Sequence, residues 1–190
     1  MVRYDKEHKL ATRRRITETA ARRFKQDGID GSGIAALMAD AGLTNGAFYA
    51  HFASKEDLVA NAIADELRIQ HERLTALPPG RESLEAFVRE YLSPDHRDSR
   101  TTGCPSAALL DEVGRCAPET RQAYTEGAGA IVDTIAAHIT PDDPRSARGQ
   151  ALGLYTLLVG TLQLSRALID ADFSDEVLEQ GIQNALTLLG

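Results

Sequence analysis

Cysteine is scarce in this chain: Cys104 and Cys116 are the only two among 190 residues. That is too few for a disulfide framework, and in a reducing compartment both remain thiols. No unbroken apolar stretch approaches the roughly 18–20 residues that span a bilayer. The opening residues, Met1-Val2-Arg3-Tyr4-Asp5-Lys6, carry charge where a signal peptide has an apolar core. These absences lead to the expectation of a cytoplasmic protein with no membrane partner. Catalytic signatures are missing too: there is no nucleophile elbow, phosphate-binding glycine loop, dinucleotide fingerprint or His-Glu-x-x-His. Histidines 8, 51, 71, 96 and 138 form no close ligand spacing, and neither cysteine has a neighbouring cysteine. The expectation is therefore no enzyme, no metal and no cofactor.

What is present is an uneven charge distribution. The net charge is −7, but from Met1 to Lys55 ten Lys and Arg stand against six Asp and Glu, a balance of +4. From Glu56 onward eleven stand against twenty-two, a balance of −11. A basic head on an acidic body suits a chain of which one end meets phosphate.

Period-two alternation is almost absent, whereas helical spacing recurs throughout. Breakers at Gly28, Gly42, Pro78-Pro79-Gly80, Ser93-Pro94, Gly103, Pro118 and 141–144 divide the chain. The pattern predicts an all-α fold of about nine helices. They lie near 6–26, 33–41, 44–52, 54–74, 81–92, 106–115, 119–139, 145–169 and 174–189. Ile16, Ala20 and Phe24 form the buried stripe of the first, leaving Arg13, Arg14, Arg22 and Arg23 on its remaining surface. Ser32 and Thr44 are the expected caps of the next two, and Ser54 with Asp57 approximates a capping box on the fourth. The segment 152–160 is apolar nearly all round. Gly153 and Gly160 admit a close partner, so the last two helices are read either as a dimer interface or as the buried centre of a monomer.

Residues 33–52 carry the functional reading. Two short helices joined by Gly42-Leu43 have helix-turn-helix geometry. Ala36 and Ala39 are small enough for a close crossing, and Phe48 and Phe52, four apart, face inward. Asn45, Gly46, Tyr49 and Ala50 then face outward, where a major groove would lie. Asn45 suits a bidentate adenine contact, and Gly46 with Ala47 allows close approach. Tyr49, His51 and Lys55 suit phosphate, as do the hydroxyls of Ser32 and Thr44. The same pattern also describes a purely structural three-helix unit.

The run from Gly28 through Gly42-Leu43-Thr44-Asn45-Gly46-Ala47-Phe48-Tyr49-Ala50-His51-Phe52 to Ser54-Lys55-Glu56-Asp57-Leu58 resembles the DNA-binding signature of the TetR/AcrR family of transcriptional repressors. The resemblance extends over about 13–59, and the later helices fit that family in order and length. It implies a homodimer binding a palindromic double-stranded operator and released by an unknown small-molecule inducer; the apolar pattern above puts the pairing at the last two helices. It further implies a helix-turn-helix domain at 1–53 and a sensing and dimerising domain at 54–190. By position it assigns Ser32 to the phosphate-contacting start of the second helix. It places Thr44, Asn45, Gly46, Tyr49 and His51 on the recognition helix and Lys55 at the start of the fourth. Asn45 stands where many members carry a basic residue, Ala36 where many carry a polar one, and Gly33 is unusually flexible for a helix start. These departures bear on which operator is read.

In the body, His71, Phe87, Tyr91, Leu109 and Tyr124 are candidate ligand contacts, each equally readable as core or surface. Gly103-Cys104-Pro105 resembles a segment found in one branch of the family, some of whose members respond to electrophiles or oxidants. Cys104 precedes a helix N-terminus, and Arg97 and Arg100 are near in sequence, all of which would favour a thiolate. The alternative function is therefore thiol-based electrophile or redox sensing through Cys104. The other reading makes Cys104 a small core residue.

Overall fold

The computed structural model describes residues 2–190, with side chains from Glu7 onward, and among them the regular structure is entirely helical. Helix α1 spans Val2–Asp27. Its expected stripe of Ile16, Ala20 and Phe24 is buried, and Gly28 at φ +80° ends it, its N–H bonding the Phe24 carbonyl at 2.9 Å. Helix α2 is shorter than expected, Ile34–Asp40, with Gly33 rather than Ser32 in the capping position. Gly42 at φ +66° forms a Schellman turn: its N–H bonds Ala39, and that of Leu43 bonds Met38 at 2.8 Å. Leu37, Met38 and Ala41 fill the crossing, while Ala39 faces solvent.

The third element departs from expectation. Asn45–Ala50 is a 3-10 helix, capped at Thr44 without a side-chain bond. Six residues containing Asn45 and Gly46 offer too few hydrogen bonds and too little helix propensity to sustain a longer α-helix.

Helix α3, Lys55–Thr75, starts with reciprocal capping. Ser54 accepts from the Asp57 N–H at 3.2 Å, and the Asp57 carboxylate accepts from the Ala53 N–H at 2.9 Å. Helices α4 (Arg81–Tyr91), α5 (Pro94–Asp98), α6 (Pro105–Arg115) and α7 (Pro118–Ile139) follow. The short α5 was not expected: Ser93-Pro94 reads as a breaker, yet Ser93 caps the helix and Pro94 occupies its first turn. Helices α8 (Arg148–Ala167) and α9 (Ala171–Leu189) lie against each other. Their closest approach is at Gly181, where a methyl group would come within 2.4 Å of Thr161, rather than at the glycines of α8. Helix α7 meets α3 as tightly, since a Cβ on Gly127 would sit 2.6 Å from that of Leu67. No helix among the described residues is long and apolar enough to cross a membrane.

Polar ties hold α1 to the rest. Arg13 was expected on the surface, but its guanidinium stacks 4.0 Å over Phe52, donates to the His51 carbonyl and bonds Asn61 at 2.9 Å. Arg23 bridges to Asp40 of α2. The Lys25 side chain is only 2% exposed; its ammonium pairs with Glu66 of α3 and donates to the Gly103 carbonyl at 3.2 Å. Glu66→Ala would strand this buried charge and should cost about 3 kcal/mol in urea unfolding. Lys25→Met removes the charge and should cost distinctly less. Equal costs would contradict the pairing described.

Candidate nucleic-acid interface and interior sensing site

The expected recognition helix, Asn45–Ala50, stands on an apolar base. Phe48 and Phe52 are buried with ring centroids 5.7 Å apart, and Arg13 closes the far side of Phe52. This base directs Thr44, Asn45, Gly46 and Ala50 outward. Tyr49 packs edge-on against Phe48 yet remains 69% exposed. An aromatic ring held that far into water, beside small residues, forms a surface onto which another molecule can settle.

Two of the expected phosphate contacts are altered. The Ser32 hydroxyl is fully buried and donates to the Gly28 carbonyl at 2.8 Å. It closes the α1–α2 loop internally and is not presented to a ligand. His51 is half-buried, its carbonyl is taken by Arg13, and its ring Nδ1 is enclosed without a partner. Burial lowers its imidazole below the ordinary value, and Lys9, Arg13 and His8 add to the effect, which disfavours the charged form. Lys55, at the start of α3, is half-buried and lines a cavity of about 300 Å³ beside Ile29, Glu112 and Cys116.

Inside the body, the structure brings three of the expected ligand residues together. Tyr91, Cys104 and Tyr124 meet around a polar cluster whose other members the sequence did not single out: Gln70, His96, Ser106, Tyr155 and Arg166. The Ser106 hydroxyl lies 2.7 Å from that of Tyr155 and accepts from Tyr124 at 3.0 Å. The Cys104 thiol points to the Gln70 side-chain oxygen at 3.6 Å. Its backbone N–H donates to His96 Nε2 at 3.0 Å, while His96 Nδ1 donates to the Tyr91 carbonyl at 2.7 Å. Burial raises the Tyr91 and Tyr155 phenols, Cys104 adding to both, which favours their protonated forms; the Tyr91 hydroxyl itself is enclosed without a partner.

The remaining candidates are elsewhere. Leu109 is a core side chain, and Phe87 packs at the edge of the cluster against Tyr91, centroids 5.7 Å apart. His71 lies at the far end of α3, lining a separate cavity of about 580 Å³ with Thr75 and His138. Nor do Arg97 and Arg100 serve Cys104. Arg97 is bound to Asp98 and Asp175, and Arg100 donates to the Arg166 carbonyl. Arg166, distant in sequence, is the cation whose charge reaches Tyr91 and Cys104. Only an aromatic and hydroxyl pattern spread over α4, α6, α7 and α8 would have marked this cluster in the sequence.

Comparison with known proteins places this geometry. Residues 16–62 match the family model described as bacterial regulatory proteins, tetR family. Over these residues the head is similar to the tetR family. The matched residues run from the buried stripe of α1, through the 3-10 helix, into α3. The HTH-type transcriptional repressor NemR of Escherichia coli is 26% identical over 126 residues, covering 64% of this chain and 63% of NemR. The chain thus spans less than two thirds of that relative. The HTH-type transcriptional regulator TtgR of Pseudomonas putida is 40% identical over 74 residues, 39% of this chain and 35% of TtgR. The crystal structure of reduced E. coli NemR shares the fold with a TM-score of 0.79 at 23% identity, covering 92% of this chain and 95% of that one. A TetR regulator of Chloroflexus aurantiacus does so at 0.72 and 23%, covering 95% of each.

His96 carries a pH signature. Burial lowers its imidazole below the ordinary 6.5; the Tyr91 carbonyl opposes the shift and Arg166 reinforces it. The unfolded chain then takes up a proton that the fold refuses, so stability present above about 6.5 falls as pH drops below it. His96→Gln should flatten this acid slope in melts across that range. His51 contributes in the same direction and preserves part of it. An unchanged slope would contradict the neutral, doubly bonded imidazole.

Proposed function

We propose that this chain is a transcriptional repressor that binds a palindromic double-stranded operator as a homodimer and releases it when its helical body is perturbed. The observation that carries the reading is the recognition helix, whose outward face of Thr44, Asn45, Gly46 and Tyr49 stands on a rigid aromatic base within the family-matched segment. Asn45 supplies the bidentate base contact, Gly46 and Ala50 allow close approach, and Tyr49 and Lys55 position the backbone. The functional division is 1–53 for reading and 54–190 for sensing and pairing. Leu152, Leu164, Ile169 and Phe173 are exposed on or beside α8 and α9, which suits pairing of two copies there.

Release follows from the position of α3. Its start adjoins the reader and its length runs along α7 in the body. Half-sites lie about 34–36 Å apart, so a tilt that alters the separation of the readers weakens binding. Selection of DNA by the full chain from a random pool should yield a palindromic consensus with affinity that falls steeply with salt. Asn45→Ala and Tyr49→Ala should each weaken that binding about tenfold or more, with melting temperature unchanged. Failure to enrich any sequence would overturn the reading.

A second reading is favoured by the surroundings of Cys104. The thiol is held among Gln70, Tyr91 and Arg166 at the head of α6, and the related NemR has been solved in a form described as reduced. On this reading a soft electrophile adds to Cys104 and drives release. With N-ethylmaleimide, a sulfur–carbon bond forms and the thiol proton ends on the neighbouring ring carbon. Treated protein should lose operator affinity, and Cys104→Ser should keep it under the same treatment. An identical response in the variant dismisses Cys104 as the sensor.

A further inference from the structure

Among the described residues, two arginines on the outer side of the Cys104 turn have no carboxylate partner. Arg100 makes one bond, to the Arg166 carbonyl at 2.8 Å. Arg166 donates to the Arg97 carbonyl at 3.0 Å and to the His96 carbonyl at 2.8 Å, while its Nη1 is enclosed without a partner. Carbonyl dipoles leave both formal charges standing. Burial lowers the proton affinity of Arg166, and the charge of Arg100 lowers it further. The neighbouring carboxylates bind Arg97: Asp175 does so, and so does Asp98, which lines the same cavity and whose charge also reaches Arg166 without bonding it.

Arg100 and Arg166 line a cavity of about 330 Å³ between α5 and the α8–α9 corner. The N-terminal end of α9 borders it at Ala171, adding the positive end of a helix dipole. Leu168 supplies an apolar wall, with the fully exposed Ile169 at the open edge beside the face proposed for pairing, and the volume exceeds what a bare inorganic ion fills. We propose that this cavity binds a small metabolite through an oxyanion group, phosphate or carboxylate, with Arg100 and Arg166 holding the charge and the wall receiving a short carbon skeleton. An oxyanion with two or more acceptor oxygens offers a partner to both guanidiniums, which no acidic side chain among the described residues does.

The site also adjoins the cluster around Cys104. A Cβ on Gly103 would come within 2.7 Å of His96 Nε2 and 2.9 Å of Arg166 Nη2, so this turn is wedged against the arginine that the ligand would engage. The binding itself does not depend on the operator reading and is testable without DNA.

The test is a calorimetric titration of the full chain with inorganic phosphate and, separately, with succinate, at constant ionic strength set by chloride. Saturable binding of at least one anion is expected, and Arg100→Gln should weaken it tenfold or more. Arg100 is exposed, so its variant should melt with the wild type, and Arg89→Gln on α4 should leave binding unaltered. Preference for phosphate assigns a phosphoryl ligand; preference for succinate assigns a carboxylate. Absence of saturable binding of both anions, or equal binding by Arg100→Gln, overturns the proposal.

Discussion

The buried ammonium of Lys25 is the contact on which the relation between head and body turns. A charge removed from water is tolerated only where partners replace its hydration, and Lys25 has two, one on each of two different elements. Glu66 belongs to α3, which leads from the proposed reader into the body, and the Gly103 carbonyl belongs to the turn preceding α6. Separating α1 from either leaves an ion poorly compensated. A second tie lies at the opposite end of α6, where the Glu112 carboxylate accepts from the Ile29 N–H at 2.7 Å. Helix α6 is thus pinned to the α1 region at both ends, close to Cys104 at one and to the loop before α2 at the other. Movement at either end has a physical route to the head that does not pass through α3.

The Gly-Cys-Pro segment acquires a steric meaning from these ties. Gly103 is required for space, since His96 and Arg166 leave no room for a side chain and Lys25 claims its carbonyl. Cys104 occupies the cap position of α6, its N–H spent on His96 and its thiol turned to Gln70. Pro105 takes the first helical position, where a missing N–H costs nothing. Three consecutive residues therefore satisfy three separate demands. A change of bulk or charge at the middle one acts on a turn with little freedom to absorb it.

Helical periodicity made most of the fold legible. Ile16, Ala20 and Phe24 are buried where their four-residue spacing puts them, and Gly28 and Gly42 adopt the positive φ that ends a helix. What spacing did not convey was the destination of long polar side chains. Arg13 and Lys25 lie on the helix that carries this stripe, yet each reaches across to another element, where an aromatic face or a carboxylate distant in sequence receives it. Ser93-Pro94 shows a related ambiguity, because the same dipeptide stops one helix and starts the next. At the candidate reader, alternation of buried Phe48 with exposed Tyr49 was readable, but the buried Ser32 hydroxyl was not. In the body, Tyr91, Cys104 and Tyr124 were within reach of sequence reasoning because aromatic and thiol groups are conspicuous. Their partners Gln70, Ser106 and Arg166 are ordinary residues made significant only by packing.

If the 3-10 element is the reader, as proposed, its shortness places a constraint on how regulation can work. Asn45–Ala50 has little hydrogen-bonded structure of its own and takes its orientation from Phe48, Phe52 and the Arg13 clamp. Loosening that base would not shift the reader to a second defined position; it would dissolve the surface that reads. A switch that must be reversible therefore acts better by moving the head as a rigid unit, leaving its aromatic base intact. The ties suited to such movement are those at its boundary with the body, Lys25 to Gly103 and Ile29 to Glu112, where bonds can exchange without unpacking the apolar core. On the proposed reading, the head is stable so that the contacts beneath it can serve as the switch.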